Sequence, residues 1–369
     1  MPCRFKAGSS MKVNSMKHSS LRGAAVTLED IAERLKVSKV TVSKALRGHP
    51  DISAETVKKI NKAAREMGYS PNFWARNLSS NRSNAVGVVL PKIAHHFFGS
   101  VIEGIYDAAF EHNYEVILTI SQENPERELK HINTLLSMRV DGLLISLTQQ
   151  TKDYEVFKTL QNRGVTVTFM DRVPKLDGFN MVVADDHGGA HAATSHAISI
   201  GYRKIAHLAG FQHTNIGRER YQGFRDAMDE NHVKIRKDWI VYGGFGEDDG
   251  YKGFMKLYES GEMPECVFAV TFPVAFGMYK AAGELGIRIP EDIDLLCFGN
   301  SGVNQFLSPP MSYVDQPTHE LGRKAFELTL DSIRQRGQYL PQFVKLPTRL
   351  VLCKTCTKKI AVPKKVKKV

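Results

Sequence analysis

The chain has 369 residues, 42% hydrophobic and 24% charged, the balance of an ordinary globular protein long enough for two or three folded units. No apolar run approaches the ~18 residues that span a bilayer, and the first 25 residues hold no apolar stretch of secretory type, so membrane insertion and export are not expected. The net charge of +11 is concentrated at the ends: residues 1–82 carry 16 Lys and Arg against 6 Asp and Glu, residues 354–369 carry 7 Lys and no acid, and the stretch between is mildly acidic. A polyanion touching the ends accounts for that split.

In chain order, residues 1–25 lack periodicity and read as a disordered basic leader, with Met11 and Met16 as alternative starts. Residues 26–70 then read as three short helices. Thr27 stands three residues before Asp30, a helix-start pair, and Leu28, Ile31, Ala32 and Leu35 fall on one face. After a break at Lys36–Val37, Ser38 caps a second helix that turns Val42, Ala45 and Leu46 inward. Ser53 starts a third, with Val57, Ile60, Ala64 and Met67 at helical spacing until Gly68.

Residues 71–83 form a connector with one short helical stretch. From Ala85 the pattern changes to near-continuous apolar runs separated by helix-length segments: 85–90, 115–120, 142–147, 165–170, 204–210, 266–271 and 293–298. Strands of that kind belong to parallel sheets covered on both faces, so residues 84–353 are expected to be doubly wound α/β, long enough for two lobes. Residues 354–369 read as a basic tail too charged to pack, and the segment CKTCTKKIAVPKKVKKV as its whole extent from Cys353. Five scattered cysteines make no disulfide framework and suit a reducing, cytoplasmic setting. Cys353 and Cys356 form a lone C-x-x-C without the second half of a zinc site, so no metal and no cofactor are expected.

The stretch TLEDIAERLKVSKVTVSKALRG has the layout of a helix-turn-helix, whose second helix enters the major groove of double-stranded DNA. Its early residues are Lys39, Val40, Thr41 and Lys44; lysine donates to guanine or phosphate, and the methyls of Val40 and Thr41 suit thymine. A helical pair used only for packing is the plainer alternative. TLEDIA, TVSKAL, GYSPN, the AR-x-L connector and the AVGVV strand together resemble the lactose-repressor (LacI/GalR) family, and RVDGLLIS, KIAHLAG, GIRIPEDI and DQPTHELGRKA extend the likeness over roughly residues 26–353.

That resemblance implies a three-helix helix-turn-helix head, a hinge helix, and a two-lobed body like periplasmic binding proteins, acting as a homodimer on a palindromic operator. Thr27, Ser38 and Ser43 join the four residues above as DNA-contacting positions, with Asn72 and Arg76 near phosphates, Arg82 beside them, and Leu78 as a minor-groove wedge that kinks the duplex. Lys36 replaces the turn glycine usual in the family, and Lys44 an arginine. The helices after the first body strand and after Phe276 supply the dimer face.

An effector in the interlobe cleft, a sugar or sugar derivative in the family's manner, would meet Arg220, Asp171, Asn300 and the rings of Phe98 and Phe245, with Phe97 beside them. Core packing explains each Phe equally well, and Asp171–Arg172 reads either as cleft residues or as a local ion pair. Where the family has an Asn-Asp pair this chain has Thr271-Phe272, and Asn300 stands for an acid, so fewer sugar hydroxyls would be held. No nucleophile elbow, P-loop, dinucleotide fingerprint or H-E-x-x-H occurs, and no catalytic residues are assigned. A solute-binding protein of the same body fold is the alternative, though it has no use for residues 27–82.

Overall fold

The computed structural model describes residues 26–70, 82–93, 96–335 and 338–357. Residues up to Asn81 and those from Arg82 onward form two separate units. In the first, three helices run over Leu28–Leu35 (α1), Lys39–Leu46 (α2) and Ala54–Glu66 (α3). Each starts at a hydroxyl: Thr27, Ser38 and Ser53 accept the N–H of Asp30, Thr41 and Thr56. These caps satisfy backbone donors that the helix itself leaves unpaired. α1 ends at Lys36, which takes a left-handed φ of 52°, and the next N–H, from Val37, returns to the Ala32 carbonyl. The head core consists of Ile31, Ala32, Val42, Ala45, Ile60, Ala63 and Ala64. Four of these seven are alanine, which brings the helix axes close while keeping the buried area small.

In the second unit the strands are β1 (Ala85–Leu90), β2 (Glu115–Ile120), β3 (Gly142–Ile145), β4 (Thr166–Met170), β5 (Asn180–Ala184) and β6 (Ile205–Ala209). They continue as β7 (Ile240–Tyr242), β8 (Cys266–Ala269), β9 (Asp294–Phe298), β10 (Ser312–Asp315), β11 (Phe343–Leu346) and β12 (Arg349–Val351). The helices between them are α4 (His96–Glu111), α5 (Pro125–Ser137), α6 (Glu155–Asn162), α7 (Asp186–Ser199) and α8 (Asn215–Glu230). α9 (Glu247–Glu259), α10 (Phe272–Glu284) and α11 (Thr318–Arg334) complete the set. Two six-stranded sheets result, of order β11-β5-β4-β3-β1-β2 and β12-β10-β9-β8-β6-β7. Every pairing is parallel except β10 with β12.

The apolar runs are continuous because both faces of each sheet are covered, and the period of two then sorts the side chains. Val86, Val88 and Leu90 enter one core of the first lobe, Val89 the other. In the second lobe Ala206 and Leu208 face one way, Ile205 and Ala209 the other. The chain passes between lobes after β5, after β10, and between β11 and β12, so three segments cross side by side. Helix pairs lock at glycines: a Cβ on Gly104 of α4 would lie 2.0 Å from the His319 carbonyl oxygen, and one on Gly322 of α11 would lie 2.0 Å from that of Val101. Gly250 and Gly277 make the same mutual contact between α9 and α10.

Two sequence expectations are corrected. Five strands, β5, β7, β10, β11 and β12, went unforeseen; they are three to five residues long and mix polar with apolar side chains. The tail does not begin at residue 354. Thr355 and Cys356 are fully buried, the Cys356 N–H donates to both Asp294 carboxylate oxygens at 2.9 Å, and the Ser312 N–H donates to Thr355 Oγ1 at 2.7 Å. Backbone bonding and two uncharged side chains hold down a segment whose lysines had dominated the composition.

Candidate nucleic-acid interface and interlobe cleft

α2 is two-faced. Val42 and Ala45 are buried, so the helical period turns Lys39, Val40, Ser43 and Arg47 away from the core. Val40 is 63% exposed, an apolar side chain that the head itself does not cover. Lys39 Nζ rests 2.8 Å from Glu29 and Lys44 Nζ 2.5 Å from Asp51, both at the surface. Exposed pairs of this kind are worth about 0–1 kcal/mol, so a phosphate exchanges for the carboxylate at little cost. Thr27 and Ser38 spend their hydroxyls on caps, and Ser38 Oγ also lies 2.8 Å from Thr41 Oγ1. Asn72, Arg76 and Leu78 lie outside the described residues.

The connector joins the body at a defined point. Asp141, buried at the start of β3, accepts the N–H and the hydroxyl of Ser83 at 2.7 and 3.0 Å and the N–H of Asn84 at 3.0 Å. Asn84 has a left-handed φ of 49°. One carboxylate thus fixes the first residues of the body.

Between the lobes, at the carboxyl ends of β4, β8, β9 and β10, lies a cleft of about 270 Å³. The predicted residues Phe97, Phe98, Asp171, Arg172, Arg220 and Phe245 all line it, and so do Thr271 and Asn300. Arg220 is 3% exposed and largely committed: Nε donates to Asp186 at 2.8 Å, Nη1 to the Val270 carbonyl at 2.7 Å, and the guanidinium lies 3.8 Å from the Phe298 ring centre. Burial pushes the Asp186 carboxyl up to about 6 although Arg220 opposes the shift.

Asp171 and Arg172 both line the cleft, and Arg172 pairs with Glu123. Arg172 Nη1 donates to both Glu123 oxygens at 2.8 and 3.0 Å, while its Nε is buried without a partner. Asp171 sits at a left-handed φ of 61°, and its carboxylate accepts from the Ser146 hydroxyl at 3.3 Å. Burial pushes its carboxyl up, with Arg172 and Arg220 opposing. Thr271 Oγ1 donates to the Phe245 carbonyl, and Asn300 Oδ1 accepts the Ser301 N–H. Gln316, which the sequence reading passed over, also lines the cleft, and its Nε2 is buried without a partner. An unpaired buried donor costs about 1–3 kcal/mol, and two residues of the lining carry one.

Asn215 at the start of α8 bridges the lobes. Its Nδ2 donates to the Asp171 carbonyl at 2.8 Å and its Oδ1 accepts the Val173 N–H at 3.0 Å. Asp186 and Gln316 were missed because the strands before them, β5 and β10, were missed. A polar residue stands out at a strand's carboxyl end only once the strand is seen. Among the described residues no group of three or more His, Cys, Asp or Glu side chains is placed to hold a metal, and no helix is long and apolar enough to cross a membrane.

Comparison with known proteins matches residues 27–72 to the model for bacterial regulatory proteins of the lacI family, and residues 194–356 to a periplasmic binding protein-like domain. The HTH-type transcriptional repressor PurR of Pasteurella multocida is 30% identical over 315 residues, covering 85% of this chain and 93% of that protein. The lac repressor dimer bound to operator and the anti-inducer ONPF is 25% identical, with a TM-score of 0.81 over 90% of this chain and 99% of that one. The transcriptional regulator CelR in its cellobiose complex is 27% identical, with a TM-score of 0.67 over 89% and 99%. The chain belongs to the lacI family of bacterial regulatory proteins.

Proposed function

We propose that this protein is a cytoplasmic transcriptional repressor that binds a palindromic DNA operator as a homodimer and changes its grip when a small effector fills the interlobe cleft. It carries out no catalytic step on this reading. The observation that carries the proposal is α2, with Val42 and Ala45 buried and a 63%-exposed Val40 flanked by Lys39 and Lys44 on the free side. An apolar residue among cations suits a groove that offers thymine methyls between phosphates. The dimer is supported by α4, which leaves Tyr106 and Phe110 uncovered, the latter 85% exposed. Exposed rings on one helix need a partner surface. Two heads related by a two-fold axis then read two half-sites.

The lobes give the effector its leverage. Asn215 and the Arg172–Phe245 contact join them across the cleft. A ligand that favours one lobe spacing shifts the population of that state and, through the Ser83 joint, the placement of the two connectors. A solute-binding role leaves the capped, basic head without a task. The test is titration of the full-length protein with a random-sequence duplex and with duplexes it selects from a random pool. Binding that weakens steeply with salt, and selection of a palindrome, are expected. Indifference to both kinds of duplex at low salt overturns the proposal.

A further inference from the structure

We propose a second small-ligand site on the flank of the lobe junction, separate from the effector cleft: a hollow of about 230 Å³ that takes a small aromatic carboxylate. No part of its chemistry involves DNA, so it stands or falls independently of the regulator reading.

The hollow is built from both lobes. The turn after β4, β5 and the edge strand β11 supply one wall from the first lobe, and the first turns of α7 and α8 supply the other from the second. Among the described residues, none lines both this hollow and the cleft. Two polar pairs stand between them. Asn215, on the hollow side, donates to the carbonyl of Asp171 on the cleft side at 2.8 Å, and Asp186, on the hollow side, accepts from Arg220 on the cleft side at 2.8 Å. A ligand that reaches both walls favours the lobe spacing at which it can touch them together.

The floor is apolar and the rim carries spare positive charge. Met181 and Val183 of β5 are buried and line the floor, and beside them Phe343 of β11 is 62% exposed, a ring that the edge of the sheet leaves uncovered. A flat ring stacks on such a face over aliphatic side chains. The cations of the lining are Lys175, Arg218 and Lys345. Arg218 is matched by Glu219 at 3.2 Å, and Asp186 by Arg220. Lys345 Nζ reaches Asp185 only at 3.5 Å, and that carboxylate already accepts the Gly188 N–H at 3.2 Å. Lys175 has no ion-pair partner among the described residues. Exposed pairs such as that of Lys345 are weak and exchange readily.

Two available ammonium groups over an apolar floor fit one carboxylate carried on a ring. A neutral ring leaves both charges unused, and a carboxylate without a ring leaves the floor and Phe343 uncovered. A second negative charge would be repelled by Asp186 and Glu219, which line the same hollow. Mostly apolar walls with a few charged groups to fix orientation are the usual makeup of small-molecule sites.

The experiment is calorimetric titration of the full-length protein with benzoate and phenylacetate, and with benzamide and acetate, which each lack one of the two features. At least one aromatic carboxylate is expected to bind about tenfold more tightly than either comparison compound. Replacing both lysines together, Lys175→Gln with Lys345→Gln, is expected to weaken it about tenfold, and Phe343→Ser about fivefold. All three side chains are at the surface, so these variants should melt like the parent. Lys175→Arg with Lys345→Arg should restore binding to within about twofold of the parent. Asn300→Trp, which places a large ring in the cleft, should leave the affinity unchanged. Absence of binding by both aromatic carboxylates, equal binding of benzamide or acetate, full affinity in the lysine or Phe343 variants, or a loss confined to Asn300→Trp overturns the proposal.

Discussion

His207 occupies a place that the period of β6 reserves for an apolar side chain. It is fully buried between Phe224 and Phe268, each about parallel to it at 5.0 Å, with Nδ1 bonded to the Phe268 carbonyl at 2.8 Å and Nε2 unpartnered. Burial lowers its pKa from 6.5 to about 4. The unfolded chain therefore binds the extra proton first as pH falls, and stability is lost between about pH 6.5 and 4. Asp186 has the opposite sign: raised to about 6, it takes a proton in the folded state first, and stability is gained over much of the same window. The two shifts are each on the order of 3 kcal/mol and oppose each other. Replacing His207 by Phe removes one of them. Relative to the parent, the His207→Phe variant should gain stability steadily as pH falls from 6.5 to 4, whatever its level at pH 7. Parallel melting curves of the two proteins across that range would refute the assignment. Val40 supplies a second residue-scale expectation. Val40→Ser removes methyls from an exposed position that no head residue covers, so the head should fold unchanged. Affinity for selected duplexes should fall by about 1 kcal/mol, and affinity for random duplexes should hold, both measurable by titration.

At the scale of elements, the close crossings decide what the helices tolerate. Gly322→Ala places a methyl 2.0 Å from the Val101 carbonyl oxygen, where only movement of α4 or α11 relieves the overlap. Overpacking of this kind costs about 3 kcal/mol, a melting-temperature loss on the order of 6–12 °C. Gly283→Ala on α10, with nothing within 4 Å of the added carbon, is the matched control and should be neutral or slightly stabilising. The Asp141 joint is a second element-scale device. Asp141→Asn keeps the volume but turns an acceptor toward the Ser83 and Asn84 N–H groups into a donor. Duplex selectivity should fall with the body fold intact, as judged by its far-UV circular dichroism, and amide exchange at Ser83 and Asn84 should accelerate. Unchanged exchange at both would remove the joint from the mechanism.

The head was legible because each of its helices begins at a hydroxyl three residues before a matching partner and keeps one apolar stripe. The longer strands were legible because two-sided burial made them continuous. β5, β10 and β12 were not, since NMVVA, SYVD and RLV are only five, four and three residues long and each includes a polar residue. The cleft suffered in consequence. Arg220 and Phe245 are identifiable by resemblance, but Gln316 and Asp186 depend on knowing where β10 and β5 end. The partners that tie up Arg220 and free Arg172 Nε are fixed by tertiary packing, which no local pattern encodes.

For the whole molecule, charge and fold part company at the C-terminus, and truncation separates them. The segment 353–357 belongs to the second lobe. Cys353 N–H donates to Ser312 Oγ at 2.8 Å, His196 Nε2 meets the Cys356 carbonyl at 2.8 Å, and the buried Cys356 thiol packs 3.4 Å from that of Cys266. Ending the chain after Leu352 leaves the Ser312 N–H without its partner, takes the Cys356 N–H from an Asp294 carboxylate that keeps Tyr202 and Leu295, and opens the core beside Cys266. A loss of about 3 kcal/mol or more is expected, read as a lowered melting temperature. Ending it after Thr357 keeps every one of these bonds and removes only residues 358–369, with six of the seven lysines that follow Cys353. That variant should melt like the parent. Its affinity for selected duplexes should also show the parent's dependence on salt, because each phosphate neutralised contributes about 0.9 to the slope of log affinity against log salt, and the proposed contacts come from the head. A shallower slope after truncation would place the terminal lysines on DNA. Equal stability of the two truncations would mean that the buried segment contributes nothing to the lobe.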